Sequence, residues 1–421
     1  MNQIRDEFQE NMEGQELLHT PGGVRDVYGR ECARKMHVKK EVHHILKTHG
    51  FQDIETPAFE YFDIFSKERG TVQSREMFKF FDRGNNTLVL RPDVTPSIAR
   101  CVAKYWRDET MPIRLCYTGK TFVNTPPYKG KLQEVTQVGA ECFHDDTSDT
   151  DAEMIAMTVE CLKQCGLKEF QLEVGHADLF RGLVEEAGIS QSEAQELREL
   201  IVSKNFFGAQ EFVGRLEVAD SLKEIFEKLP ELLGDLTECV QFVKERTKNE
   251  RVLQALERLQ KVEENLGCYG CLDYVTVDFS MLSQYSYYTG VIFRAYTYGN
   301  GEALATGGRY DGLVQQFGKK ASAIGLAIVI DQLMLALTRQ NLFEDTTLGG
   351  GILLYPQSLR KEAIGLAQKY RKEGRCIQML RKASAKSVEE YLEYAKRADV
   401  EELIYLEAVN KVETYTIKGN K

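Results

Sequence analysis

The chain has 421 residues, 43% hydrophobic and 28% charged, with a formal net charge of −10. That balance describes a globular protein of two or three domains with an ample core and excludes a disordered tail, while the acidity leaves nucleic acid to be bound only through a local basic patch. No apolar run approaches the roughly 20 residues that span a bilayer, and MNQIRDEFQENMEG at the N-terminus is polar and mixed in charge, unlike a signal peptide, which places the chain in the cytoplasm.

Ten cysteines without a signal peptide read as reduced thiols rather than a disulfide framework. Cys268-Tyr269-Gly270-Cys271 is a lone CxxC with no second pair or His pair at finger spacing, so neither a metal nor a cofactor is expected.

In chain order, a Pro-Gly-Gly turn in LLHTPGGVRDVY precedes an amphipathic helix over 31–49, with Met36, Val38, Val42, Ile45 and Leu46 on one side and Gly50 as its stop. Residues 51–60, FQDIETPAFE, alternate as a strand and carry Pro57. Two strand-like runs, 77–81 and 87–90, are joined by Asp82-Arg83-Gly84-Asn85-Asn86 as a hairpin. Directly after it, Arg91-Pro92-Asp93-Val94-Thr95-Pro96 opens a helix through about Lys104, with Asp93 or Thr95 as the cap. The same carboxylate and hydroxyl could hold an ammonium group, and the two roles can coexist.

Residues 113–143 read as a strand, a loop around Pro126-Pro127 and a returning strand. On that second strand Gln137, Gly139 and Glu141 alternate onto one face. Polar side chains on an otherwise apolar strand need partners, and a bound amino acid can supply them. A helix over 151–166 and a strand over 169–174 follow; the pattern from Ala177 to about Leu266 is then almost continuously helical, with breaks near Gly188, Gly208 and Pro230.

A strand over 272–279 delivers the chain to an aromatic hairpin, Tyr285–Tyr298 and Ala303–Thr306 around Gly299-Asn300-Gly301. Gly307-Gly308-Arg309-Tyr310-Asp311-Gly312 comes next, and Tyr287, Tyr288 and Tyr310 supply flat, hydroxyl-tipped walls for a pocket. Residues 323–337 read as a strand running into a helix. Beyond a turn-rich linker, 345–421 alternates strand and helix as a small α/β domain.

Tyr287-Tyr288-Thr289-Gly290 followed by Gly307-Gly308-Arg309-Tyr310-Asp311-Gly312 resembles the histidine-specific signature of histidyl-tRNA synthetases and of their catalytically silent paralogues, the regulatory subunits of ATP phosphoribosyltransferase. The resemblance implies an α+β fold: a class II aminoacyl-tRNA synthetase-like antiparallel sheet flanked by helices, with a helical insertion and a small C-terminal α/β domain. The parts would be 1–176 and 267–344 for the synthetase-like domain, 177–266 for the insertion, and 345–421 for a shortened anticodon-binding domain. By the same resemblance Asp93, Thr95, Gln137, Glu141, Tyr287, Tyr288 and Tyr310 bind histidine, with Glu141 on the imidazole and Asp93 and Gln137 on the α-ammonium. The first helix and strand resemble the signature motif that makes a dimer interface.

Where the synthetases read Glu-Gly-Thr, Asp93-Val94-Thr95 keeps the chemistry with a shorter acid, and what is lost from the synthetase pattern falls on ATP chemistry. Where the synthetases carry Phe-Arg-x-Glu this chain has Phe122-Val123-Asn124-Thr125; their Arg-Gly before the tyrosine pair aligns with Ser283; and their last ATP-gripping arginine aligns with Gln332, beside Val329 in place of a glycine. An isopropyl group cannot make the charged, bidentate contact of a guanidinium with phosphate. The resemblance therefore implies no catalytic residue, and a non-catalytic regulatory subunit in the first step of histidine biosynthesis. Its partner would be a short-form ATP phosphoribosyltransferase catalytic subunit, its effector L-histidine, and its assembly a homodimer within a hetero-octamer, with tRNA not a ligand. A divergent histidyl-tRNA synthetase and a synthetase-like protein recruited to another partner remain the alternatives.

Overall fold

The computed structural model describes residues 18–65, 72–126, 131–282, 287–343 and 349–417. The described residues form two compact units, one within 18–26 and 37–342 and one within 27–36 and 343–417.

Helix α1 (Gly29–Thr48) buries Val38, Val42, Ile45 and Leu46 and stops at Gly50, whose φ of +80° suits glycine. The alternating stretch at 51–60 is not one strand but two short ones, β1 (Gln52–Asp53) and β2 (Phe59–Tyr61). Arg91 explains the break: its Nη1 takes the carbonyls of Thr56 at 2.7 Å and Pro57 at 3.2 Å, which a neighbouring strand would otherwise pair. β3 (Lys79–Phe81) and β4 (Thr87–Leu90) form the expected hairpin, with Asn85 at φ 61° and Asp82 accepting from the Asn86 amide at 2.8 Å. With β2 they make a three-stranded antiparallel sheet.

At α2 (Thr95–Tyr105) neither Asp93 nor Thr95 is the cap: Val94 takes that position and no side chain caps the helix, while Asp93, one residue earlier, accepts at Oδ1 from the amides of Val94 at 2.7 Å and Thr95 at 3.3 Å. β5 (Ile113–Phe122) and β6 (Glu134–Phe143) pair along their full length, Ile113 opposite Phe143. α3 (Ser148–Gln164) is capped by Thr147, and β7 (Gln171–His176) leads into the helical stretch.

That stretch holds α4 (Ala177–Ala187), α5 (Gln191–Val202), α6 (Phe206–Arg215), α7 (Asp220–Lys228), then β8 (Leu233–Gly234), α8 (Leu236–Lys244) and α9 (Glu250–Tyr269). Helical periodicity runs through it except at β8, where Gly234 at φ 111° lets two residues pair with β9 (Val275–Asp278). Residues 272–274 form a 3-10 turn, so β9 begins later than the alternation suggests.

β10 (Val291–Tyr296) and β11 (Ala305–Arg309) are the aromatic hairpin, with Ile292 opposite Gly308; Tyr285 lies outside the described residues. Gly307 and Gly308 belong to β11 itself rather than to a turn after it. α10 (Asp311–Gln315), β12 (Ala323–Val329) and α11 (Ile330–Arg339) complete the unit. Among the described residues its main sheet has nine strands in the order β1-β5-β6-β12-β11-β10-β7-β9-β8, antiparallel except for the β1/β5 and β7/β9 pairs. This is the α+β architecture that the motifs imply.

The second unit contains β13 (Gly351–Tyr355), α12 (Arg360–Lys372), β14 (Ile377–Arg381), α13 (Val388–Arg397), β15 (Glu402–Ala408) and β16 (Lys411–Thr416), in sheet order β14-β13-β15-β16. Ile352, Leu354 and Leu403 are buried on one face of this sheet and Leu353, Ile404 and Leu406 on the other, the pattern of a sheet covered on both sides. Residues 27–36 join it through the Arg30–Asp399 ion pair and Arg34, 4.7 Å above the Phe343 ring.

Candidate functional site

The middle of the main sheet is the floor of a cavity of about 310 Å³. On β6, Gln137, Gly139 and Glu141 point to the same face; the register sets them against Val329, Ala327 and Gly325 of β12. β11 extends the row with Thr306 opposite Ala327 and Gly308 opposite Gly325. Glycine and alanine at these crossings hollow the floor. A Cβ on Gly325 would lie 1.8 Å from Glu141 Oε2, and one on Gly308 2.8 Å from Tyr288 Cε1, so side chains at either place would displace the acid or the ring.

All seven side chains expected at a binding site line this one cavity: Asp93, Thr95, Gln137, Glu141, Tyr287, Tyr288 and Tyr310. Thr95 Oγ1 donates to Glu141 Oε1 at 2.6 Å, and Tyr310 Oη donates to Glu141 Oε2. Tyr287 Oη donates to Asp93 Oδ2 at 3.3 Å, and its ring packs against those of Tyr288 and Tyr310, centroids 4.9 and 5.9 Å away. Gln137 Oε1 is buried and makes no hydrogen bond among the described residues.

Glu141 is 1% exposed. Burial pushes its carboxyl up to about 8 in spite of the hydrogen bonds from Thr95 and Tyr310, and the charge of Asp93 adds to the rise. Loss of water pushes Asp93 upward too, opposed by its hydrogen bonds from the Thr95 and Val94 amides and from Tyr287. Two acids strained in the same sense, facing one cavity, suit a ligand that brings positive charge and hydrogen-bond donors.

The Gly-Gly-Arg-Tyr-Asp-Gly stretch divides its labour. Tyr310 enters the cavity. Arg309 turns to Asp151 of α3, donating from Nη2 at 2.6 Å and Nε at 3.0 Å, and to the Asp145 carbonyl at 3.0 Å. Asp311 accepts from the Ala323 amide at 2.8 Å, and its own amide donates to Thr289 Oγ1 at 3.0 Å, pinning the segment before β10 to β12. Of this stretch only the tyrosine's ring and the glycines' missing side chains shape the binding surface.

Sequence reading missed Gly325, whose place beside Glu141 depends on strand register, and Tyr117, which fills the space left by Gly139 opposite it. It also missed Lys131, which lines the cavity with its Nζ 2.5 Å from Glu302 Oε1. Val123, Val329 and Gln332 line the same cavity, Gln332 donating to Glu302 Oε2 at 3.1 Å. Ser283 lies outside the described residues. Away from the cavity, Cys268 is exposed and Cys271 is buried. His43, Asp53 and Cys116 hold ligand atoms within 4.8 Å of one another. There Lys47 at 2.8 Å and His43 at 2.5 Å hold Asp53 down at about 2, and burial pushes the Cys116 thiol up to about 12.

Residues 23–333 match the family model described as histidyl-tRNA synthetase. An ATP phosphoribosyltransferase regulatory subunit from Acetivibrio thermocellus is 37% identical over 362 residues, 86% of each chain. One from Ruminiclostridium cellulolyticum is 35% identical over 403 residues, 96% of each. Among solved structures, a Bacillus halodurans protein described as an ATP phosphoribosyltransferase regulatory subunit/histidyl-tRNA synthetase is similar with a TM-score of 0.82 at 30% identity, over 92% of this chain and 97% of that one. A histidyl-tRNA synthetase from a Nostoc species shares the fold at a TM-score of 0.79 and 15% identity, over 94% and 96%.

Proposed function

The chain belongs to the histidyl-tRNA synthetase family and, within it, to the ATP phosphoribosyltransferase regulatory subunits, and from that premise we propose that it is a histidine sensor that activates a short-form catalytic subunit and relays feedback inhibition to it. The observation that carries the reading is the composition of one cavity: Asp93, Gln137 and Glu141 furnish it for an amino acid, while Val123, Val329 and Gln332 offer nothing cationic to a triphosphate. Catalysis would then reside on the partner. A pocket that keeps its acids but lacks a phosphate grip does useful work only when its occupancy biases two states of an assembly. Linkage fixes the sign: histidine inhibits if it binds the low-activity state more tightly.

The experiment mixes this chain with a short-form ATP phosphoribosyltransferase subunit and follows that subunit's turnover. The expected result is activation by the wild-type chain, reversal by histidine, and a Glu141→Ala variant that activates but resists most of the inhibition. Equal inhibition through wild type and variant would place the controlling site elsewhere. The second reading, a divergent histidyl-tRNA synthetase, is supported by the family model over 23–333, and histidine-dependent exchange of ATP with pyrophosphate separates it from the first.

A further inference from the structure

We infer that the cavity recognises the ammonium and the imidazole of its ligand and leaves the ligand's carboxylate unrecognised, so that it accepts imidazole-bearing amines as a class. This deepens the histidine reading above and rests on it.

The argument is one of charge supply. Three carboxyls line the cavity, Asp93, Glu141 and Glu302. Among the described residues, the lining carries a single cation, Lys131, whose ammonium is already 2.5 Å from Glu302. Among the described residues, two guanidiniums near the site are engaged elsewhere. Arg91 donates to the carbonyls of Thr56 at 2.7 Å and Lys120 at 2.8 Å, and Arg309 to Asp151 at 2.6 Å.

The helix terminus at the site offers no substitute for a cation. The α2 N-terminus is a natural anion site, but the amides of Val94 and Thr95 already donate to Asp93, Pro96 has none to give, and Ser97 is buried outside the lining of the cavity. Among the described residues a ligand carboxylate would thus meet acids and no cation but the paired Lys131, whereas an ammonium meets Asp93 and a ring N–H meets Glu141 or the unpartnered Gln137 Oε1. That burial lifts both Asp93 and Glu141 above the usual carboxylate range fits a cavity in which the positive charge is the ligand's to bring.

Calorimetric titration of the full chain at neutral pH tests this with histidine, histidinol, histamine and imidazolepropionate, on wild type and on Glu141→Gln. Histidinol and histamine should bind within about tenfold of histidine or more tightly, imidazolepropionate at least about a hundredfold more weakly, and Glu141→Gln should weaken all three amines by about tenfold or more. Histidine binding more than about tenfold tighter than both carboxylate-free amines would overturn the inference while leaving the histidine site in place. Absence of binding by every amine, or binding unchanged in Glu141→Gln, would overturn the histidine reading itself and this inference with it.

Discussion

Arg309 and Asp151 form a buried ion pair at 2.6 Å, the carboxylate with no solvent exposure and the guanidinium side chain with 6%. The other carboxylate oxygen takes Arg258 from α9 at 2.6 Å, so one acid on α3 ties the end of β11 to α9. Replacing Asp151 by Ala leaves the buried Arg309 with only Asp311, 3.4 Å from its Nη1, as a counter-charge, which costs about 3 kcal/mol. Urea unfolding of wild type and Asp151→Ala measures it directly, and a loss below about 1 kcal/mol would contradict the assignment of Asp151 as the anchor.

This pair also marks the limit of what the sequence discloses. Glu141 was legible because a charged residue on an apolar strand demands a partner, and Tyr310 because it sits in an aromatic, glycine-rich motif. Arg309 belongs to the same motif and its direction was not legible: the chain alternates faces, and the acid that captures it lies 158 positions earlier. Gly325 was invisible for a related reason, since nothing local says that β12 pairs with β6 in the register that puts it beside Glu141. The break in 51–60 likewise depends on Arg91, far along the chain. Long-range pairing decides such features, and local pattern does not carry it.

Stability should depend on pH through Glu141. The folded chain keeps this carboxyl protonated up to about 8, whereas the unfolded chain releases the proton near the ordinary value of 4.5. Between those values the native state binds the extra proton, so the contribution is complete below 4.5 and is lost as pH rises through 8. Its size is on the order of a few kcal/mol. Glu153 acts in the opposite sense and in another window: against its burial, His49 and Arg114 hold it at about 2, so its contribution is lost as pH falls below 4.5. Glu141→Gln, which has no proton to lose, should therefore gain on wild type as pH rises from 5 to 8; urea midpoints across that range that run parallel for the two chains would remove Glu141 as the cause.

Gln137 separates binding from folding. Its Oε1 is buried and has no partner among the described residues, so Gln137→Met, which keeps the side chain's length, should leave the stability of the free chain unchanged or raise it by up to about 1 kcal/mol. Histidine affinity should fall by about 1–3 kcal/mol, because the ligand's donor then loses its acceptor in a buried place. Thermal unfolding with and without saturating histidine reads both quantities. A variant that is destabilised when free yet binds histidine undiminished would assign Gln137 to the fold.

The last expectation concerns chemistry that should not occur. Activating an amino acid on ATP places negative charge on the transferring phosphorus and the leaving pyrophosphate, and preorganised cations must meet it in the transition state. Val123, Val329 and Gln332 line this cavity, and the lysine that lines it is paired with Glu302. Removing even one preorganised donor typically costs about 100- to 1000-fold in rate, and here neutral Val123 and Gln332 stand where the synthetase pattern carries arginine. The chain supplied with histidine, ATP and magnesium should accordingly show no histidine-dependent exchange of labelled pyrophosphate into ATP above a protein-free blank. Exchange at enzyme-like rates, abolished by Glu141→Ala, would mean that the cavity is a working active site and that the chain makes histidyl-adenylate after all.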